Sequence, residues 1–103
     1  MAAEPPAPFG PVPTPAQLLR QTNEFYGFLH FTVNTFTDKE WGGGDESEGV
    51  FNPAHFDAGQ IVRAARMAGM KGLVLTCKHH DGFCLWPSAY TEHSVKNSNW
   101  RKG

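Results

Sequence analysis

The sequence predicts an α/β fold built around one βαβ unit, part of a larger parallel sheet. Three observations lead there. Phe25 to Val33 is an aromatic and β-branched run with almost no alternation of polar and apolar residues, as expected of a strand covered on both faces. From Asp57 to Met70 the apolar residues Ile61, Val62, Ala65 and Ala68 recur at helical intervals, with Arg63 and Arg66 outside. Leu73 to Cys77 is a second short apolar run. The order strand, long loop, helix, strand calls for parallel strands and a right-handed crossover. Two strands and one helix leave sheet edges unpaired and apolar faces bare. The chain is therefore expected to be a piece of a longer protein, and by itself to expose apolar surface and dissolve poorly.

Taken in order, residues 1–16 hold six of the eight prolines: Pro5, Pro6, Pro8, Pro11, Pro13 and Pro15. Proline fixes φ and lacks a donor, so this stretch reads as an extended arm. A short helix is expected over Ala16 to Glu24, with Thr14 as N-cap and Pro15 at its first position. After the first strand, Asn34 to Gly49 reads as irregular. Within it, Gly42-Gly43-Gly44 and the acidic Asp45-Glu46-Ser47-Glu48 read as a flexible, solvated loop. Asn52-Pro53 is a turn. Gly69 or Gly72 can end the helix. Residues 78–103 read as loop, broken again at Trp86-Pro87-Ser88.

Composition narrows the function classes. The chain has 103 residues, room for one small domain, with 40% hydrophobic and 13% aromatic residues. Mean hydropathy is −0.42. The net charge of −1, from 9 basic and 10 acidic residues without a like-charged run, points to neither nucleic acid nor a membrane surface. No apolar run approaches the roughly 20 residues of a membrane span. Met1 to Pro6 lacks the basic and apolar regions of a secretory leader. The default compartment is then the cytoplasm; a secreted, periplasmic or lysosome- or vacuole-like location follows if the N-terminus is incomplete. Cys77 and Cys84 read as two reduced core thiols.

In a parallel α/β fold the C-terminal ends of the strands share one rim, and sites lie there. His30 ends the first strand, and His79 and His80 end the second. Strand-borne metal ligands are usually spaced by one residue and helical pairs by three, so adjacent His79 and His80 do not favour a metal, and none is expected. They would point to opposite faces unless the chain turns, which Gly82 permits. Asp38, Glu40 and Trp41 follow the first strand. A carboxylate accepts from hydroxyls and an indole N–H donates to one, a pairing that suits a polyol. Phe83 and Trp86 read as wall or core. Asp81 either holds a histidine tautomer or caps the next turn, with the cap slightly favoured. No glycine-rich phosphate loop and no Gly-x-Ser-x-Gly elbow occurs.

The segments His30-Phe31-Thr32-Val33-Asn34-Thr35-Phe36-Thr37-Asp38-Lys39-Glu40-Trp41, Phe51-Asn52-Pro53 and Leu75-Thr76-Cys77-Lys78-His79-His80-Asp81-Gly82-Phe83-Cys84-Leu85-Trp86-Pro87-Ser88 carry a resemblance. With Tyr90-Thr91 and Ser94-Val95, the chain resembles glycoside hydrolase family 29, the α-L-fucosidases, from about Pro13 to Trp100. Asn34-Thr35-Phe36-Thr37 with Glu40-Trp41-Gly42 looks like the plant and bacterial branch. The resemblance implies the N-terminal fragment of a (β/α)8 TIM barrel, roughly its first βαβ unit. The domains would be a Pro-rich arm over 1–16 and a partial barrel domain over 17–103, truncated at its C-terminus. It implies retaining hydrolysis of terminal α-L-fucose on an oligosaccharide or glycoconjugate, without a cofactor or metal.

By the same resemblance, His30, Glu40, Trp41, His79 and His80 match positions that grip the fucose hydroxyls. Thr32 stands where many relatives have glycine, which would narrow the site. The family's nucleophile and acid/base carboxylate fall beyond Gly103, so neither Asp81 nor Glu40 takes those roles. The alternative is a catalytically inactive truncated product with at most weak sugar binding. A third reading is an unrelated metal-dependent α/β enzyme.

Overall fold

The computed structural model describes residues 2–101, so Met1, Lys102 and Gly103, the ends of the expected arm and barrel segments, lie outside the described residues. Residues 2–14 form no regular element and are exposed. Helix α1, Pro15–Gln21, starts as its sequence dictates. The Thr14 hydroxyl accepts from the Gln17 N–H at 3.3 Å, and the Gln17 side chain accepts from the Thr14 N–H at 2.8 Å. This reciprocal cap satisfies two of the free N–H groups at the helix start. The helix crosses the expected arm–domain boundary at residue 16.

Strand β1, Tyr26–Leu29, pairs in parallel with strand β2, Gly72–Leu75, in the register Tyr26↔Gly72 to Leu29↔Leu75. The ladder continues past both ends, with the Lys71 N–H donating to the Phe25 carbonyl and the Thr76 N–H to the Leu29 carbonyl. Between the strands run a short helical turn α2, Asn34–Thr37, and helix α3, Ala58–Met67. The Asp57 carboxylate caps α3 by accepting from the Gln60 N–H at 3.1 Å. Gly69, at φ 84°, turns the chain out of the helix, a conformation glycine adopts without strain.

Several expectations change. Both strands are shorter than the sequence suggests, and neither is covered on both faces: Phe28 of β1 is 58% and Leu75 of β2 50% exposed. The two-stranded sheet has no further strand among the described residues. The segment 34–49 is not wholly irregular, because α2 and the start of a 3-10 turn, Glu48–Val50, lie in it. Asp38 stops α2 in the left-handed region, at φ 55°, which aspartate tolerates better than most residues. The glycine stretch is not merely a solvated loop, since the Glu46 carboxylate accepts from the N–H groups of Gly43 and Gly44 at 2.8 and 3.0 Å. Cys77 is exposed rather than in the core; Cys84 is buried, and both are free thiols.

The core lies beneath the loops. Val33, Phe51, Phe83 and Val95 are buried together, with Phe31, Leu85 and Trp100 packed against them. Phe51 is its hub, with ring centroids 5.1 Å from Phe83 and 5.6 Å from Phe31 and Phe36. The segment after β2 thus supplies much of the core. Cys84 ties it together: its N–H donates to the His93 carbonyl, and its carbonyl accepts from the Val95 N–H. A 3-10 turn, Val95–Asn97, follows. The radius of gyration, 19.4 Å, exceeds the roughly 13 Å of a compact chain this long.

The two glycines around β2 separate backbone strain from crowding. A methyl group at Gly69 meets open space but at a positive φ, whereas one at Gly72 meets Tyr26 Cβ at an ordinary 3.9 Å. Gly69→Ala is expected to lose ~1 kcal/mol and Gly72→Ala no more than ~0.5 kcal/mol. Urea midpoints of the two variants check this; equal losses would contradict it.

Candidate active site

Because β1 and β2 are parallel and in register, both end on one rim. His30 follows Leu29 directly, and its ring lies 4.6 Å from that of His79, centroid to centroid. Beyond Thr76 the chain makes the turn that adjacent histidines require. The Gly82 N–H donates to the His79 carbonyl at 3.0 Å, with Gly82 at φ 77°. His79 and His80 then lie with ring centroids 4.2 Å apart, and the Trp41 ring sits 4.3 Å from His80. All five candidate residues, His30, Glu40, Trp41, His79 and His80, line one cavity of about 430 Å³. Thr32, Asn34, Thr35 and Lys39 complete its wall.

The loop carrying Glu40 and Trp41 is held from three directions. The Glu40 carbonyl accepts from His80 Nε2 at 3.2 Å and from Asn34 Nδ2 at 3.3 Å. Just beyond Trp41, the Glu46 carboxylate clasps Gly43 and Gly44. Gly42 sits where a Cβ would collide with Asn34 Oδ1 and come within 2.8 Å of Glu46 Oε1. Farther along, Glu48 Oε1 meets His93 Nδ1 at 2.7 Å, and Asn99 Nδ2 donates to the Gly49 carbonyl at 3.0 Å. The His93 ring meets Phe83 edge-on at 5.4 Å. The loop before α3 is thereby fastened to the segment after β2.

Asp81 is buried at 1% exposure, and its Oδ1 accepts from the Phe83 N–H at 2.9 Å. This is the turn-capping role, and no hydrogen bond joins it to a histidine among the described residues. Phe83 belongs to the core; Trp86 is exposed. Asp38 does not line the cavity. Thr32 is buried, and its hydroxyl accepts from the Asn34 N–H at 3.3 Å, steadying the entry to α2.

Sequence reasoning missed Asn34, Lys39, Glu48 and His93. A short polar residue four positions past His30 was a usable signal for Asn34. Nothing in the spacing of Glu48 and His93, 45 residues apart, announces their contact.

Glu40 is the only carboxylate lining the cavity among the described residues. Imidazole rings, an indole and one carboxylate can exchange hydrogen bonds with a polyol and stack on its apolar face. No group of three or more His, Cys, Asp or Glu among the described residues is placed to hold a metal ion. Three carboxyls titrate below the ordinary glutamate value. The Gly43 N–H holds Glu46 down, the His93 hydrogen bond holds Glu48 down, and Asn97 with Lys96 holds Glu92 down.

A family model described as Alpha-L-fucosidase matches residues 15–102. The chain is 52% identical over 98 residues to Alpha-L-fucosidase 1 of Arabidopsis thaliana, covering 95% of this chain and 19% of that protein. Among solved structures, a putative alpha-L-fucosidase from Bacteroides ovatus superposes with a TM-score of 0.81 at 56% identity, covering 87% of this chain and 16% of the other. A family 29 α-L-fucosidase from Bacteroides thetaiotaomicron, trapped as a covalent intermediate in complex with 2-fluoro-fucosyl fluoride, superposes with a TM-score of 0.75 at 29% identity. That match covers 94% of this chain and 26% of the other. The chain spans about a fifth, 19%, of the length of the curated relatives it matches first.

The Glu48–His93 contact has a pH signature. Glu48 titrates below its ordinary 4.5, so the folded state favours its charged form. The stabilisation is present above pH 4.5 and is lost as pH falls through the lowered folded value. Glu48→Gln is expected to be less stable than the parent at neutral pH and to show a flatter stability profile on acidification. Urea denaturation at several pH values reads both; parallel profiles for the two chains would contradict the assignment.

Proposed function

The chain belongs to the α-L-fucosidase family, and from that premise we propose that it supplies part of the fucose-binding subsite of a retaining exo-glycosidase. In this reading β1, α3 and β2 are the first βαβ unit of a (β/α)8 barrel. Residues 1–16 are a proline-rich arm leading into it, and residues 17–103 are part of the barrel domain. The substrate is a terminal α-L-fucosyl group on an oligosaccharide or glycoconjugate. The observation that carries the reading is the meeting of His30, Glu40, Trp41, His79 and His80 around one cavity at the strand ends.

The residues divide the work by their chemistry. The Glu40 carboxylate accepts from sugar hydroxyls, the Trp41 indole N–H donates, and the imidazoles do either according to their tautomer. Bonds that tighten as the sugar flattens toward an oxocarbenium-like state lower the barrier, where bonds of constant strength would only improve binding. Retention needs two carboxyl groups roughly 5–5.5 Å apart, one nucleophile and one acid/base. The cavity has only Glu40 among the described residues, and Asp81 is occupied as a turn cap. In this reading both catalytic carboxylates come from outside residues 1–103. The bare apolar surface at Phe28 and Leu75 fits a sheet that continues in the rest of the barrel.

Two measurements test this. The 103-residue chain alone is expected not to hydrolyse an aryl α-L-fucoside, and measurable turnover would refute the assignment of the carboxylates. In a polypeptide of full family length carrying these residues, His79→Ala or Trp41→Ala is expected to lower kcat/KM about 10- to 100-fold, the worth of one or two hydrogen bonds, ~1–3 kcal/mol. Unchanged kinetics in both variants would overturn the sugar-binding role.

A further inference from the structure

The Glu40 carbonyl is a point where two cavity residues meet. Asn34 reaches it through Nδ2 and His80 through Nε2. A carbonyl oxygen only accepts, so both nitrogens carry the hydrogen. In a neutral imidazole, a proton on Nε2 leaves Nδ1 with a free lone pair. His80 Nδ1 has no hydrogen-bond partner among the described residues. We propose that Asn34 is a positioning residue: by holding the Glu40 carbonyl, it fixes His80 in the Nε2–H tautomer, leaving Nδ1 as a hydrogen-bond acceptor.

The setting of Asn34 supports this. Its Oδ1 is buried with no partner, an unfavourable state for an amide oxygen that an apolar side chain would avoid. The Nδ2 donation to Glu40 is the single hydrogen bond its side chain makes among the described residues. The side chain is also confined: Oδ1 lies against Gly42, and the backbone N–H is tied to the Thr32 hydroxyl. A confined donor can hold a loop carbonyl in place, and the carbonyl in turn selects which nitrogen of the His80 ring carries the proton. With Glu40 and His80 Nδ1 both accepting and Trp41 donating, the cavity takes hydroxyl protons at two points. That consequence rests on the sugar reading above, whereas the tautomer does not.

The test is a long-range proton–nitrogen correlation spectrum of the 15N-labelled chain, recorded where the imidazoles are neutral. His80 is expected to show a protonated, pyrrole-type Nε2 and a pyridine-type Nδ1. Asn34→Leu keeps the size of the side chain and removes the donor, so His80 should move toward a mixture of tautomers. The His93 pattern, set by Glu48, should not change and reports an intact fold. Gly42→Ala, whose methyl group displaces the Asn34 amide without removing it, should shift His80 in the same direction. A parent chain with the proton on Nδ1 of His80 overturns the proposal, as do variants that leave the His80 pattern unaltered. Adding L-fucose separates the two readings: if no cavity imidazole responds, the sugar reading fails while the tautomer result stands.

Discussion

The in-register parallel pairing of β1 and β2 is the constraint on which the site depends. Leu29 opposite Leu75 puts both strand ends at one height. His30 therefore emerges beside the loop that carries His79 and His80, and the two segments, about fifty residues apart in the chain, become neighbours. A shift of one residue in this register would move every side chain of one strand to the opposite face and dissolve the arrangement. The pairing is short, four residues on each side, so it needs support from elsewhere.

That support comes from the loops. Phe51 and Phe83 pack together, and they belong to the two segments that carry the cavity residues. Around them the Glu48–His93 and Asn99–Gly49 bonds join the same two segments. The site is thus bolted together behind its working face, by a buried aromatic contact and by hydrogen bonds nearer the surface. On the open side the order is reversed: His30, Trp41 and His80 stay exposed, free to exchange water for hydroxyl groups. Firm backing with a wet front fits the proposed sugar-binding role, because much of a sugar site's discrimination lies in how well several hydrogen bonds are aimed at once.

Much of this was legible in the sequence, for local reasons. Thr14-Pro15 with Gln17 announces a helix start because the capping bonds span only three residues. The helical repeat over Ile61, Val62 and Ala65 and the two apolar runs place α3, β1 and β2. His30 and the His79-His80 pair are legible as strand-end residues once the strands are parallel. What was not legible depends on contacts between distant segments. The Glu48–His93 pair, the core role of Val95, and the clasp that orders Gly43 and Gly44 follow from how the loops close on one another. The burial expected of β1 failed for a related reason. An apolar run records the environment the strand is suited to, and Phe28 lacks that cover here.

The central claim is that the cavity between Trp41 and the three histidines recognises a fucosyl group by the placement of its hydroxyls. The most direct measurement is a titration of the chain with L-fucose and, separately, with its mirror image D-fucose, following the side-chain resonances of Trp41, His30, His79 and His80. The two sugars share composition, polarity and size and differ only in handedness. The account predicts saturable shifts at these four residues with L-fucose and none with D-fucose. Equal responses to both sugars, or no response to L-fucose, would contradict it.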